Sequence, residues 1–192
     1  MIRRLYDWTL SLAASRHALW ALALVAFLES SVFPIPPDIL MIPMILATPS
    51  RAFLIAGVAL VASVLGGLLG YAIGYGLFET VGRPVLEFYG TEAYFDEFRD
   101  RYNAWGAWAV LIAGVTPFPY KVITILSGTT ALSLPVFVTA SILARGLRFF
   151  VVALLLWKYG EPIRYFIEKR LGLMFTLFVA LLIGGVLLVR YL

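Results

Sequence analysis

The stretch from residue 27 to residue 43, FLESSVFPIPPDILMIP, lies in a long apolar part of the chain and carries two acids and four prolines. The acids are Glu29 and Asp38, and the prolines are Pro34, Pro36, Pro37 and Pro43. A helix that crosses a membrane avoids buried carboxylates and is kinked or broken by closely spaced prolines. The stretch therefore predicts a break in an apolar helix, with acids that face the protein interior.

The composition indicates an all-α integral membrane protein. The 192 residues are 62% hydrophobic and 14% charged, with a mean hydropathy of +0.94. Soluble domains are about half apolar and about a quarter charged. The apolar runs are much longer than the strands of a membrane barrel and do not alternate, which favours helices. The net charge of +4 comes with basic residues that flank apolar runs, so it indicates membrane orientation and no nucleic-acid partner.

The order of apolar and polar segments predicts one membrane domain over residues 1–192. Its predicted parts are an interfacial helix (1–17), a first broken apolar segment (18–49), a transmembrane helix (52–78), an amphipathic linker (79–104), a second broken apolar segment (105–132), a transmembrane helix (135–157) and, after a basic linker, a last transmembrane helix (173–189). The first broken segment has arms of about ten residues, and each arm reaches roughly half of a ~30 Å hydrocarbon core. Each broken segment is thus expected to be a re-entrant hairpin, although a proline-kinked helix that crosses is the simpler alternative.

Two observations favour the hairpins. The motifs Pro34-x-Pro36-x-Asp38 and Pro117-x-Pro119-x-Lys121 have the same spacing and lie 83 residues apart, which indicates an internal duplication. With two hairpins, eight basic residues lie on one side and four on the other, as the positive-inside rule requires for a cytoplasmic N-terminus. The halves then form an inverted repeat in a plasma (inner) membrane, with the hairpins broken at Pro34, Pro36, Pro37, Pro117 and Pro119.

Five ionisable residues fall within the predicted membrane segments: Glu29, Asp38, Lys121, Arg145 and Arg148. Such residues are costly in a membrane, usually pair and usually mark a site. Asp38 could be a helix N-cap, whereas Lys121 begins an arm, where the helix dipole disfavours a cation. Arg145 and Arg148 lie on one face of their helix, and either a bridge to Glu29 or Asp38 or the binding of a phosphate would explain them. We expect the five side chains to share one cavity.

Other motifs are structural or missing. Gly66, Gly70 and Gly74 follow a small-xxx-small spacing that indicates close helix packing. The sequence has no Walker loop, metalloprotease motif or serine hydrolase motif, so we expect no enzyme activity. A single His and no Cys give no support for a metal or another cofactor.

These motifs together resemble the DedA family, also called SNARE-associated Golgi or VTT-domain proteins. The resemblance covers about residues 20 to 160 and lies in Glu29 with PIPPD at 34–38, in GYAIG at 70–74, and in TPFPYK at 116–121 with Gly128. It implies two inverted re-entrant hairpins and a role in lipid translocation. It also implies that Glu29 and Asp38 match two essential acids, and that Lys121 stands where an arginine is usual. The missing glycine before Asp38 indicates a divergent branch.

The residues and the resemblance lead to one hypothesis. The protein would be a flippase or scramblase that moves a phosphate-bearing lipid, such as a phospholipid or a polyprenyl phosphate, and proton coupling would be one way to drive it. Its partners would be membrane lipids and protons, with a homo-oligomer as a further possibility. A proton-coupled small-ion antiporter and a structural membrane protein are the alternatives.

Overall fold

A computed structural model describes residues 17–32, 36–116, 118–160 and 162. The helices within these ranges are α1 (Ala18–Ser31), α2 (Asp38–Ala47), α3 (Ala52–Leu77), α4 (Arg83–Tyr89), α5 (Glu92–Val115), α6 (Tyr120–Thr129) and α7 (Leu134–Tyr159). A 3₁₀ turn (Pro49–Arg51) precedes α3, and a π turn (Phe78–Gly82) follows it. The last predicted transmembrane helix, nearly all of the interfacial helix, and Pro34 and Pro117 lie outside the described residues.

The two longest helices, α3 and α7, form an antiparallel central pair. Near the start of α3, the Phe53 ring lies 5.8 Å from that of Trp157 near the end of α7. Towards the other end of the pair, the rings of Tyr71 and Phe137 lie 5.3 Å apart. Both helices are 26 residues long, agree with the predicted spans to within two residues, and are long and apolar enough to cross a membrane.

The broken helices lie end to end along this pair. On α3, the end of α1 reaches Ser63, where the Ser30 and Ser63 hydroxyls are 2.7 Å apart. The next part of α3 is covered by α6, whose Thr124 contacts Gly70.

On α7, Gly114 near the end of α5 packs against Ala144. Further along α7, Arg148 binds Asp38 at the start of α2. Two junctions between broken helices therefore lie near the middle of the central pair.

The outer ends of the arms lie at opposite ends of the central pair. Ala18 of α1 and Ile45 of α2 share a buried cluster with Ala52 at the start of α3 and Leu156 near the end of α7. At the other end, the Tyr102 hydroxyl of α5 lies 3.0 Å from that of Ser127 on α6. Thus α1 and α2 extend from the middle towards one end, and α5 and α6 towards the other.

Glycines allow α3 to approach α1 and α6 closely. A Cβ at Gly66 would overlap the Phe27 carbonyl of α1, and one at Gly74 would overlap the Ile125 carbonyl of α6. On the facing side of α6, a Cβ at Gly128 would overlap the Tyr71 carbonyl. Together with Gly70, the predicted packing glycines thus all lie at helix contacts.

The predicted boundary between residues 104 and 105 is wrong, because α5 runs unbroken from Glu92 to Val115. The change from polar to apolar side chains at this point does not interrupt the backbone hydrogen bonds, and Gly106 packs against Leu132 without ending the helix. The helical run that contains α3 also continues past residue 78, through the π turn and α4, to Tyr89.

The helix lengths agree with a duplicated architecture. The helices α2 and α6 each have 10 residues, and α3 and α7 each have 26. Their starts are 82 residues apart in both cases, from Asp38 to Tyr120 and from Ala52 to Leu134. The two halves therefore share a broken-helix and long-helix order in opposite orientations.

Candidate functional site

Arg145 lies at the centre of a buried polar network in the middle of α7. Its Nη2 donates to Glu29 Oε2 at 2.6 Å, and its Nε donates to the Ser63 hydroxyl at 2.7 Å. The guanidinium carbon lies 4.8 Å from the centre of the Tyr120 ring and 4.7 Å from that of Phe149. The side chain has no exposed surface. Its partners thus come from α1, α3 and α6 as well as from α7 itself.

Arg148, one turn further along α7, joins two broken helices. Its Nη2 donates to Asp38 Oδ2 at 2.5 Å, at the start of α2. Its Nη1 donates to the Thr116 carbonyl at 3.1 Å, at the end of α5. The exposed fractions are 20% for the Arg148 side chain and 19% for that of Asp38. This ion pair is thus more exposed than the Arg145–Glu29 pair, whose side chains have exposed fractions of 0% and 12%.

Lys121 makes the corresponding contact at the other junction. Its Nζ donates to the Val32 carbonyl at 3.2 Å, directly after the end of α1. The dipole of its own helix α6 disfavours a cation in the first turn, but the free carbonyls at the end of α1 favour one. The predicted conflict at Lys121 is thus resolved by a helix of the other half.

The possible role of Asp38 as an N-cap is wrong. Pro37 is the N-cap residue of α2, Asp38 is the first residue of the helix, and no side-chain hydrogen bond caps the helix. The carboxylate binds the Arg148 guanidinium instead, since a charged donor forms a stronger hydrogen bond than a neutral amide does.

The structure places all five predicted ionisable residues at the two junctions. The acids pair with arginines, as expected, Glu29 with Arg145 and Asp38 with Arg148. Lys121 has a carbonyl partner. Whether the five share one cavity, and whether they act in transport, remain predictions.

Sequence reasoning missed the neutral residues that hold the charged ones. Ser30 donates to Glu29 Oε2 at 3.1 Å, and Thr124 donates to the Ser30 carbonyl at 3.0 Å. The Tyr120 hydroxyl donates to Ser141 at 2.5 Å, which helps to fix the ring that covers Arg145. Buried hydroxyls in apolar helices need partners, so these residues, which lie within about one helical turn of charged ones, carried a usable signal.

One donor of the network is unused. Arg145 Nη1 is buried and has no hydrogen-bond partner among the described residues. A buried N–H without a partner costs free energy, and a water or an anionic oxygen would satisfy it. Within the described ranges, no group of three His, Asp or Glu side chains could hold a metal ion.

The arrangement is suited to the binding of an anion. Three cations and two acids meet at the junctions, so the site has a formal excess of one positive charge. Arg148 has a partly exposed planar guanidinium, a group suited to phosphate through paired hydrogen bonds, and Lys121 supplies a point charge. Helix ends in the middle of a long apolar pair are also where transporters place their ligands.

Comparisons with known proteins place the chain in a family. The family model for the VTT domain matches residues 35–158. A protein of Haemophilus influenzae is 34% identical over 87% of this chain and 86% of its own length, and one of Histophilus somni is 34% identical over 85% and 87%. Both relatives are named as uncharacterized, and no solved structure matches. The chain is therefore a membrane protein of the VTT-domain family, the DedA or SNARE-associated family.

Proposed function

We propose that this protein moves a phosphate-bearing lipid, such as a phospholipid or a polyprenyl phosphate, across the plasma (inner) membrane. The observation that carries the proposal is the position of the Arg148 side chain and its hydrogen bonds. Its guanidinium lies at a junction of two broken helices, half-way along an apolar helix, and is held by partners that an anion can replace. A phosphate headgroup needs such a cation at mid-depth, whereas its hydrocarbon chains can stay in lipid.

The proposal includes re-entrant hairpins. The outer ends of α1 and α2 lie together at one end of the central pair, and those of α5 and α6 at the other. If α3 and α7 cross the bilayer, the junctions lie near its midplane, and the hairpins enter from opposite sides. The positive-inside rule then puts the N-terminus in the cytoplasm.

The three cations have different contacts, and we propose a different role for each. Arg148 and Lys121 bind the headgroup, since each holds a replaceable oxygen: the Asp38 carboxylate or a helix-end carbonyl. Arg145 is enclosed by two rings and bonded to Glu29 and Ser63, so it keeps the junction positive and can offer Nη1 once the headgroup has entered. Asp38 competes with the headgroup for Arg148 and thereby favours its release.

We propose that the same acids couple lipid movement to protons. When Asp38 or Glu29 takes up a proton, the positive excess at the junctions rises and an anionic headgroup binds more tightly. Loss of the proton restores the ion pair and displaces the headgroup. The direction of a proton gradient would thus bias the direction of lipid movement.

The structural alternative has support of its own, because both acids are already paired with arginines that join the halves. The test is reconstitution in liposomes with fluorescent phospholipid and with a polyprenyl phosphate. Lipid movement that depends on the protein supports the proposal. Ion flux without lipid movement indicates an antiporter, and the absence of both indicates a structural protein.

A further inference from the structure

We infer that the headgroup reaches Arg148 sideways from the bilayer, through a notch between the end of α5 and the start of α2. The inference rests on the proposed function for the identity of the ligand. The notch itself follows from the packing of α2, α5 and α7.

The notch exists because α5 and α2 lie end to end on α7. Gly114 of α5 packs against Ala144, on the near side of Arg148, and Met41 and Met44 of α2 belong to the cluster that contains Ala153 of α7, on the far side. The two broken helices make little or no contact with each other. Among the described residues, Arg148 joins them, because it binds Thr116 of one and Asp38 of the other.

Two described residues that flank the notch are apolar and exposed. Val115 directly precedes Thr116 and is 41% exposed, and Ile39 directly follows Asp38 and is 46% exposed. The floor is the partly exposed Arg148–Asp38 pair. An apolar rim above a charged floor would repel a water-soluble phosphate but would suit an amphiphile whose chain lies in the membrane.

The depth of the notch fits this ligand. At ~1.5 Å per residue, Arg148 lies about 21 Å from the start of α7 and about 16 Å from its end, hence near the middle of a ~30 Å hydrocarbon core. A headgroup that enters there exchanges its water for the guanidinium, while its chain never leaves the lipid. The ligand class is therefore a membrane-resident lipid with a phosphate headgroup, and not a free phosphate.

The first test measures lipid access and does not depend on transport. Single cysteines at Ile39 and Val115, which the cysteine-free chain allows, are labelled with a small fluorophore in liposomes that contain lipids brominated near the chain ends. Asp100→Cys, on the exposed polar part of α5, is the control. We expect strong quenching at both rim positions and little at residue 100. Rim labels quenched no more than the control would overturn the inference.

The second test closes the notch. A reducible bis-thiol reagent bridges Ile39→Cys and Val115→Cys, and the matched control bridges Phe53→Cys and Trp157→Cys at the outer end of the central pair. We expect lipid movement to fall to the level of protein-free liposomes in the first variant only and to return after reduction. Unchanged movement after complete bridging would overturn the notch. If the unmodified protein moves no lipid, the proposed function fails, and the quenching test still decides whether lipid reaches the notch.

Discussion

Arg145 and Arg148 lie one turn apart on the same helix, but the side chain of Arg145 is completely buried, whereas one fifth of that of Arg148 is exposed. The first is enclosed by rings and bonded to Glu29, and the second joins the ends of two broken helices. The difference separates a residue that holds the halves together from one that can exchange its partner.

The buried pair should show strong coupling between its partners. Arg145→Met leaves Glu29 without its charge partner and should lower the free energy of unfolding by about 3–5 kcal/mol. Arg145→Met together with Glu29→Gln should recover a large part of this loss, since no unpaired charge remains. Unfolding in detergent measures the changes, with the exposed Leu147→Ala as the control. Losses that simply add would contradict the pairing.

The close contact of α3 with α6 should tolerate no side chain. Gly74→Ala would push a Cβ into the Ile125 carbonyl, and we expect a loss of about 1–3 kcal/mol or more. Gly76→Ala, two residues away on the same helix, meets nothing and should be neutral or stabilising by up to about 1 kcal/mol. Thermal unfolding of both variants tests the packing. Equal effects would show that the helices do not approach as described.

The two re-entrant hairpins predict the side of the membrane from which single cysteines can be labelled. Cysteines at residue 17 and at Thr48, both exposed, should react with a membrane-impermeant reagent from the same side of the membrane. Cysteines at Tyr94 and Ser133 should both react from the opposite side. Reaction of residue 17 and Thr48 from opposite sides would mean that the first segment crosses the bilayer.

Asp38 should act as a competitor of the headgroup. Asp38→Asn removes the charge that holds Arg148, so anionic lipid should bind more tightly, whereas release and net movement should slow. Binding of a fluorescent anionic lipid in detergent gives the affinities. Weaker binding by Asp38→Asn would exclude competition.

Much of the fold could be predicted from periodicity and length alone. The spans at 52–78 and 135–157 are uninterrupted apolar runs, and the helices α3 and α7 agree with them closely. The predicted boundary near residue 104 is wrong because side-chain polarity indicates exposure to water and does not determine where a helix ends. Side-chain polarity changes along α5 without any residue that breaks its backbone hydrogen bonds.

The charged residues of the candidate site could be predicted from the sequence, but which acid pairs with which arginine could not. Charged side chains in apolar segments usually pair with opposite charges, so acid–base pairs were expected. The spacing along the sequence could not show that Arg145 pairs with Glu29 and Arg148 with Asp38. This pairing depends on the order in which α1, α6, α5 and α2 lie along the central pair. The carbonyl partners Val32 and Thr116 have no sequence signal, since every residue has a carbonyl.

The most direct test of the central claim is movement of a fluorescent anionic lipid in liposomes by a variant that lacks both exchangeable cations, Lys121→Ala with Arg148→Ala. The matched control is Arg99→Ala with Arg101→Ala, which removes two exposed arginines of α5 that lie away from the junctions. Both proteins are compared at equal reconstituted amounts after circular dichroism has shown equal helix content. The account predicts that the junction variant loses lipid movement and that the control keeps it. Movement by the junction variant at the rate of the unmodified protein would contradict the account.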